Sequence, residues 1–249
     1  MLKIAVVMAV KNSEETVRRA LLSVIMQKSK NISLKKIILD DSSTDSWYDK
    51  IEDLIDKDTI IIKAKNGSAY KTRNMMHQYI YDNLHMTDYI ARLDSDDEIL
   101  DCNVFSKVGN ILKDKTTDVL VMGNALRRGN KVLKRINAAQ PNLLNLVQLL
   151  KRLKRMAEGD LLAELPSCNT VFKVSKKIYY PPEESGEDHW LLASLLSNPR
   201  KYKITIQKDL IYCIYNLSGK LSKNNQKKDV HLESRVRLYE TIRMRSEEI

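Results

Sequence analysis

The sequence predicts an α/β fold, a mostly parallel sheet covered by helices on both faces and followed by a helical C-terminal tail. Three observations predict it. Lys3 to Val10 is an apolar run without alternation, the pattern of a central parallel strand buried on both faces. Strand-like and helix-like segments then alternate, with connections of crossover length, as far as Met122. Apolar runs also break into carboxylates at Asp40-Asp41 and at Asp94 to Asp97, as strands do when they deliver acidic side chains to the ligand-binding edge of an open sheet.

After the first strand, Asn12 or Ser13 caps a helix that ends near Lys28. Glu14 and Glu15 favour its first turn, and Val17, Ala20, Leu21, Val24 and Ile25 keep helical spacing. Lys36 to Leu39 is a second strand running into Asp40 to Asp45. Ser46 to Ile55 suits a helix, Thr59 to Ala64 a third strand, and Asn66-Gly67-Ser68 a turn that opens a helix through about Leu84. Tyr89 to Leu93 is the fourth strand, Asn103 to Leu112 a helix, and Val119 to Met122 the fifth strand. After Pro141, Leu143, Leu144, Leu146, Val147, Leu149, Leu150, Leu153 and Met156 make a helix with a broad apolar face and four bases near its end. A strand at Asn169 to Phe172, a helix from His189 to Leu196 and strands at Ile204 to Ile206 and Ile211 to Tyr215 follow. Ser218 to Asp229 is polar and lysine-rich, a mobile loop before a charged C-terminal helix. The chain thus divides into a body at 1–217, with halves at 1–122 and 123–217, and a tail at 218–249.

With 249 residues and 43% hydrophobic content the chain can bury a sizeable core. Its net charge of +10 is concentrated: nine bases and no acid lie between Asp118 and Glu158, so the remainder carries only +1. That cationic segment implies an anionic partner. Cys102, Cys168 and Cys213 lack metal-ligand or paired spacing, which reads as a reduced compartment and structural roles. No signal peptide fits, because Met1 to Val10 runs into Lys11-Asn12-Ser13, and no apolar stretch approaches a membrane span. The expected location is the cytoplasm.

The cluster Asp94, Asp96, Asp97 and Glu98 is costly unless a cation sits within it. Hard oxygen ligands suit Mg2+ or Mn2+, which bridge to substrate phosphates. An acidic loop capping the next helix is the alternative reading of the same residues.

Taken together, the apolar first strand, DDSSTD at 40–45, NGSAYKTRN at 66–74, LDSDDE at 93–98 and GED at 186–188 resemble the family 2 inverting nucleotide-sugar glycosyltransferases, which have the GT-A fold. The resemblance covers residues 3 to about 196. It implies that 1–122 is the nucleotide-sugar-binding half and 123–217 the acceptor half. Asp41 would accept the imide N–H of a uracil-type base, its alternative being an Asx-type turn, the role preferred for Asp40. Arg73 would face the nucleotide phosphates, or else be a helix-surface charge, and Asn74 would cap or orient. Of Asp94, Asp96 and Asp97, one would hold the ribose while Asp96 or Asp97 holds Mn2+ or Mg2+. Asp188 would take the acceptor's proton during a single inverting displacement, with Glu187 raising its pKa by like-charge repulsion; otherwise Asp188 caps a helix. His189 is a weaker rival for the base. One departure is Ala9-Val10-Lys11, where the family often has an aromatic that stacks on the base. A UDP-sugar is the expected donor, and Lys11 either reaches a phosphate or is exposed.

The acceptor side would include Glu187 and the bases Lys151, Arg152, Lys154 and Arg155. Two anionic acceptors fit. One is a lipid-linked or cell-surface glycan at the inner membrane face, with the 143–156 helix lying on anionic lipid and its bases outward. The other is nucleic acid, for example a hydroxymethylated DNA base. Ser106 to Val171 contains no Phe, Tyr or Trp, which removes both a stacking platform and interfacial anchors. The glycan is the preferred reading on what is common in the family. The long C-terminal apolar helix of processive synthases is missing, which favours transfer of one sugar per encounter. A module that binds nucleotide-sugar or nucleic acid but has lost transfer is the non-enzymatic alternative; intact Asp96, Asp97 and Asp188 argue against it.

Overall fold

The structure, a computed structural model, describes residues 1–129, 131–137, 139–217 and 229–247, without the side chains of 134–137. Its strands are β1 (Leu2–Val10), β2 (Ile32–Asp41), β3 (Thr59–Ala64), β4 (Tyr89–Arg92), β5 (Glu98–Ile99), β6 (Val119–Arg128), β7 (Lys131–Asn137), β8 (Thr170–Lys173) and β9 (Ile204–Asn216). The helices are α1 (Val17–Ile25), α2 (Ala69–Asn83), α3 (Val104–Leu112), α4 (Leu146–Ala157), α5 (Glu187–Leu196) and α6 (Val230–Glu247).

One sheet runs β3-β2-β1-β4-β8-β6-β9-β5, with β7 paired to β6. Its first half is parallel, and β1 and β2 pair from Leu2↔Ile32 to Val10↔Asp40. Period-two alternation in β1 serves both faces. Ile4, Val6 and Met8 join α1 and α3 in one core layer, and Ala5 and Val7 join Met76 and Ile80 of α2 in the other. A third cluster packs α4, α5 and α6 on Val119, Val121 and Phe172. The α/β class and the helices on both faces therefore hold.

The details differ where local pattern has two solutions. Residues 46–55 form two 3-10 turns, Tyr48–Lys50 and Glu52–Leu54, rather than a helix; Trp47 and Ile51 are buried at a spacing that short turns satisfy as well. Helix α1 begins at Val17, because the Ser13 carbonyl accepts the N–H groups of Thr16 and Val17 in a preceding turn. The fifth strand does not neighbour the fourth. Strand β8 lies between them, antiparallel to both, and β6 continues to Arg128 before turning back as β7. The two late strands are one, β9, whose pairing with β6 shifts register around Gly123.

Helix α4 does not offer its apolar face to lipid. Leu149, Leu153 and Met156 are fully buried in the cluster shared with Leu191 of α5 and Leu238 and Ile242 of α6. Cys168 and Cys213, distant in sequence, both donate their thiols to Asn169 Oδ1, at 2.8 and 3.3 Å. The loop expected from Ser218 to Asp229 lies, as far as 228, outside the described residues.

Candidate active site

The parallel strands end at one edge, and the chemistry collects there. Asp41 is the last residue of β2 and is buried. Its Oδ1 accepts the backbone N–H groups of Asn66 and Gly67 at 2.6 and 3.1 Å, while Lys11 Nζ lies 3.7 Å from Oδ2. Gly67 has φ +72°, a left-handed backbone that favours glycine in the turn presenting those two donors. Asp40 accepts Ser43 N–H at 2.9 Å, the turn role expected of it. Ala9, partly buried, pairs with Leu39 one step below Val10.

Behind this edge lies a buried chain of alternating charges. Glu187 pairs with Arg73, Arg73 Nη2 reaches Asp94 at 3.2 Å, Arg92 grips Asp94 through Nε at 2.9 Å and Nη2 at 2.5 Å, and Arg92 Nη1 donates to Asp188 Oδ2 at 2.8 Å. A guanidinium offers this geometry because its donors form a rigid fork. Burial alone would raise the Asp94 carboxyl, but Arg92 and Arg73 hold it down to about 2. Asp188 is likewise held far below the usual carboxylate range, chiefly by Arg92 against the cost of burial. This corrects the expected role of Glu187. Its charge is matched by Arg73, so it does not raise Asp188, whose pKa moves the other way. Gly186, at φ +72°, lets α5 start so that Glu187 and Asp188 occupy its first turn.

Asp96 and Asp97 have the opposite electrostatics. Among the described residues Asp96 makes no ion pair, and burial together with the charge of Asp94 pushes its carboxyl up to about 6. Asp97 is buried, accepts Asn216 N–H at 2.7 Å, and is pushed well above the carboxylate range by burial and by Asp96 and Asp94. No three His, Cys, Asp or Glu side chains among the described residues are placed to hold a metal unaided. Two under-compensated hard-oxygen donors without a third nevertheless fit Mg2+ or Mn2+, which keep waters and complete their shells with substrate phosphate. Asp94, already matched by two guanidiniums, fits poorly as a ligand.

Five participants were not singled out from sequence. Arg92 is the central cation, and its one signal is a lone base inside the apolar strand 89–93. Asn216 N–H fixes Asp97. Tyr180 lies 5.7 Å from the Arg73 guanidinium and exchanges two 2.8 Å bonds with Asn74, which is thereby an orienting residue. Arg19 donates to the Asp96 carbonyl at 3.1 Å and pairs with Glu98, as does Arg127.

Three of the four bases of α4 have their own partners. Arg152 donates to the carbonyls of Ala163 and Glu164, Arg155 pairs with Asp160 at 2.5 Å, and Lys154 lies 3.9 Å from Glu158. Lys151 makes neither an ion pair nor a side-chain hydrogen bond among the described residues. A cavity of about 370 Å3 lined by Lys3, Ser33, Lys35 and Met86 opens at the opposite ends of β1 and β2 and contains none of the site residues.

His77, four residues after Arg73 on α2, sits against the rings of Phe172 and Tyr180, with centroids 6.0 and 5.4 Å away. Burial, reinforced by the charges of Arg73 and Arg92, pushes its imidazole down to about 4. The unfolded chain, titrating near 6.5, binds a proton that the fold refuses, so stability is complete above about pH 6.5 and falls as pH drops towards 4. A His77→Phe variant should lose much of that slope in urea midpoints compared at pH 7 and 4.5. An unchanged slope would assign it elsewhere.

No curated protein matches the sequence. Among solved structures, S. aureus TarS 1–349 in complex with UDP-GlcNAc is similar at 18% identity and TM-score 0.63, over 89% of this chain and 61% of that one. A second crystal structure of S. aureus TarS 1–349 gives 17% and 0.62, over 86% and 60%. The mannosyltransferase PcManGT from Pyrobaculum calidifontis, in complex with GDP-Man and Mn2+, gives 12% and 0.57, over 87% and 57%. The chain thus spans about three fifths of the length of the solved chains it matches, and what it shares with them is the GT-A fold. The model of glycosyl transferase family 2 matches residues 5–175, more than two thirds of the sequence and nearly all of the parallel half of the sheet. The chain belongs to glycosyl transferase family 2.

Proposed function

We propose that the chain moves one sugar from a nucleoside diphosphate sugar, a UDP-sugar by preference, to an acceptor hydroxyl with inversion. The observation that carries this reading is the buried series Glu187, Arg73, Asp94, Arg92, Asp188, which runs from the donor-side strands to the first turn of α5 beside the under-compensated pair Asp96 and Asp97. Residues 1–122 hold the donor: Asp41, with Ala9 and Lys11 near it, takes the base, Asp94 the ribose and Arg73 the phosphates. Asp96 and Asp97 hold Mn2+ or Mg2+, which when bound neutralises charge building on the leaving diphosphate.

Asp188 accepts the acceptor's proton. It is fully ionised at neutral pH, with Oδ2 fixed by Arg92 and Oδ1 by the His189 N–H at 2.9 Å. So weak a base suits a proton that leaves late, when bonding to the anomeric carbon has made the hydroxyl acidic. His189, buried and with its imidazole pushed down by burial, is a packing residue in this scheme.

Residues 123–217 shape the acceptor side, and a lipid-linked or cell-surface glycan at the inner membrane face is the acceptor. Pairing of Arg155 and Lys154 with acids, and the engagement of Arg152 by carbonyls, leave this helix fewer unengaged bases to offer a nucleic acid. Among the described residues no helix is long and apolar enough to cross a membrane. Contact with a membrane surface would fall to Lys151 and the exposed Val147, Leu161 and Leu162.

Incubation with Mn2+ and a panel of UDP- and GDP-sugars tests the reading. One nucleotide-sugar should be consumed, only with a divalent cation present, and Asp97→Asn should remove most of the turnover. Full turnover in excess chelator would remove the metal from the scheme, and consumption of none would overturn the donor class.

A further inference from the structure

We propose that Lys11 is a specificity-determining residue that reads the donor nucleobase together with Asp41, selecting bases whose edge carries a carbonyl beside a ring N–H. The proposal rests on the nucleotide-sugar reading above and adds the class of base to it.

The register of the sheet makes the pair. Val10 is opposite Asp40 across the parallel β1–β2 ladder, so the next residues, Lys11 and Asp41, leave the sheet edge side by side. The loops that follow are tied together. Asn12 N–H donates to Ser43 Oγ at 3.0 Å and Thr44 N–H to Asn12 Oδ1 at 2.8 Å. Asn12 and Ser42 both hold left-handed backbone, φ +53° and +60°, which non-glycine residues keep only where surrounding contacts impose it.

The carboxylate is divided in its duties. Oδ1 is occupied by the N–H groups of Asn66 and Gly67, which fix the orientation of the group. Oδ2 faces Lys11 Nζ across 3.7 Å, too long for a hydrogen bond, and the lysine side chain is 56% exposed. An acceptor oxygen and an ammonium with donors to spare thus stand next to each other, one buried and fixed, the other open to the solvent.

That pair matches a lactam edge. Uracil and guanine each present a ring N–H, for Oδ2, flanked by a carbonyl, for Nζ. Cytosine and adenine present the reverse, a ring nitrogen lone pair beside an amino group. Against them the carboxylate meets a lone pair and the ammonium meets N–H donors, and both contacts repel. Residue 11 offers an amine and no ring to stack on, so discrimination rests on the edge.

Titration calorimetry of the full chain with Mn2+ and, in turn, UDP, GDP, CDP and ADP tests this. UDP and GDP should bind at least about tenfold more tightly than CDP and ADP, on the order expected for a charge-assisted hydrogen bond. Lys11→Met should weaken UDP and GDP about tenfold and bind CDP and ADP no more weakly than the parent does, while Lys11→Arg keeps the preference. Equal binding of all four, or a Lys11→Met variant with the parent's ratio, overturns this proposal alone. Binding of none overturns the nucleotide-sugar reading and this proposal with it.

Discussion

Asp188→Asn is expected to keep donor affinity within a few-fold of the parent and to lower transfer by about two to four orders of magnitude, the usual worth of a positioned base. The substitution is nearly isosteric. An amide oxygen still accepts from Arg92 Nη1, whose other donors remain on Asp94, so the donor-side residues keep their places. What is lost is the ability to accept a proton. Because Arg92 keeps the parent's Asp188 ionised throughout the neutral range, this residue contributes no acid limb to the rate above about pH 4. Calorimetry with the donor, beside initial rates, separates the outcomes. Should donor affinity fall in step with the rate, Asp188 is holding Arg92 for the donor site and the proton goes elsewhere.

Arg92→Met should destabilise the fold by about 3–5 kcal/mol, because it leaves Asp94 and Asp188 buried with their main counter-charge gone. The sign of the pH dependence distinguishes this from loss of packing. In the parent both carboxyls lie below their unfolded values. Their contribution is complete above about pH 4 and is lost as pH falls through the folded values. In the variant burial dominates, both values rise, and stability is recovered as pH falls and the groups are protonated. The gap between parent and variant should therefore be widest near pH 7 and narrow towards pH 4, read from urea midpoints. Arg92→Lys should fall between, since an ammonium keeps the charge and loses the fork. A variant that melts with the parent at pH 7 would show that the network adds nothing to the fold.

The parallel half of the fold was legible because apolar run length and carboxylate breaks are local. Strand β3 has the bounds expected, and β1 and α3 differ by one residue at one end. Pattern failed where two structures bury the same residues, as at 46–55, or where bases interrupt alternation, as at the end of β6 and the start of β7. The charge network was hidden for another reason. Glu187 and Asp188 were read through each other because they are neighbours in the chain. Their partners, Arg73 and Arg92, lie 114 and 96 residues away. The bases of α4 stood alone for want of nearby acids, yet the chain's turn after the helix brings back Glu158 and Asp160. The meeting of Cys168 and Cys213 at Asn169 is of the same kind.

The bond from Asn216 N–H to Asp97 spans 119 residues. During synthesis the segments 40–45, 66–74 and 93–98 all leave the ribosome well before residue 216, so the carboxylates of Asp41 and Asp94 to Asp97 emerge without the group that anchors Asp97. Closing so long a loop is a late and slow step. Binding of a divalent cation with nucleotide should consequently mature last, after secondary structure, and it would serve as a stricter test of a finished chain than helix content.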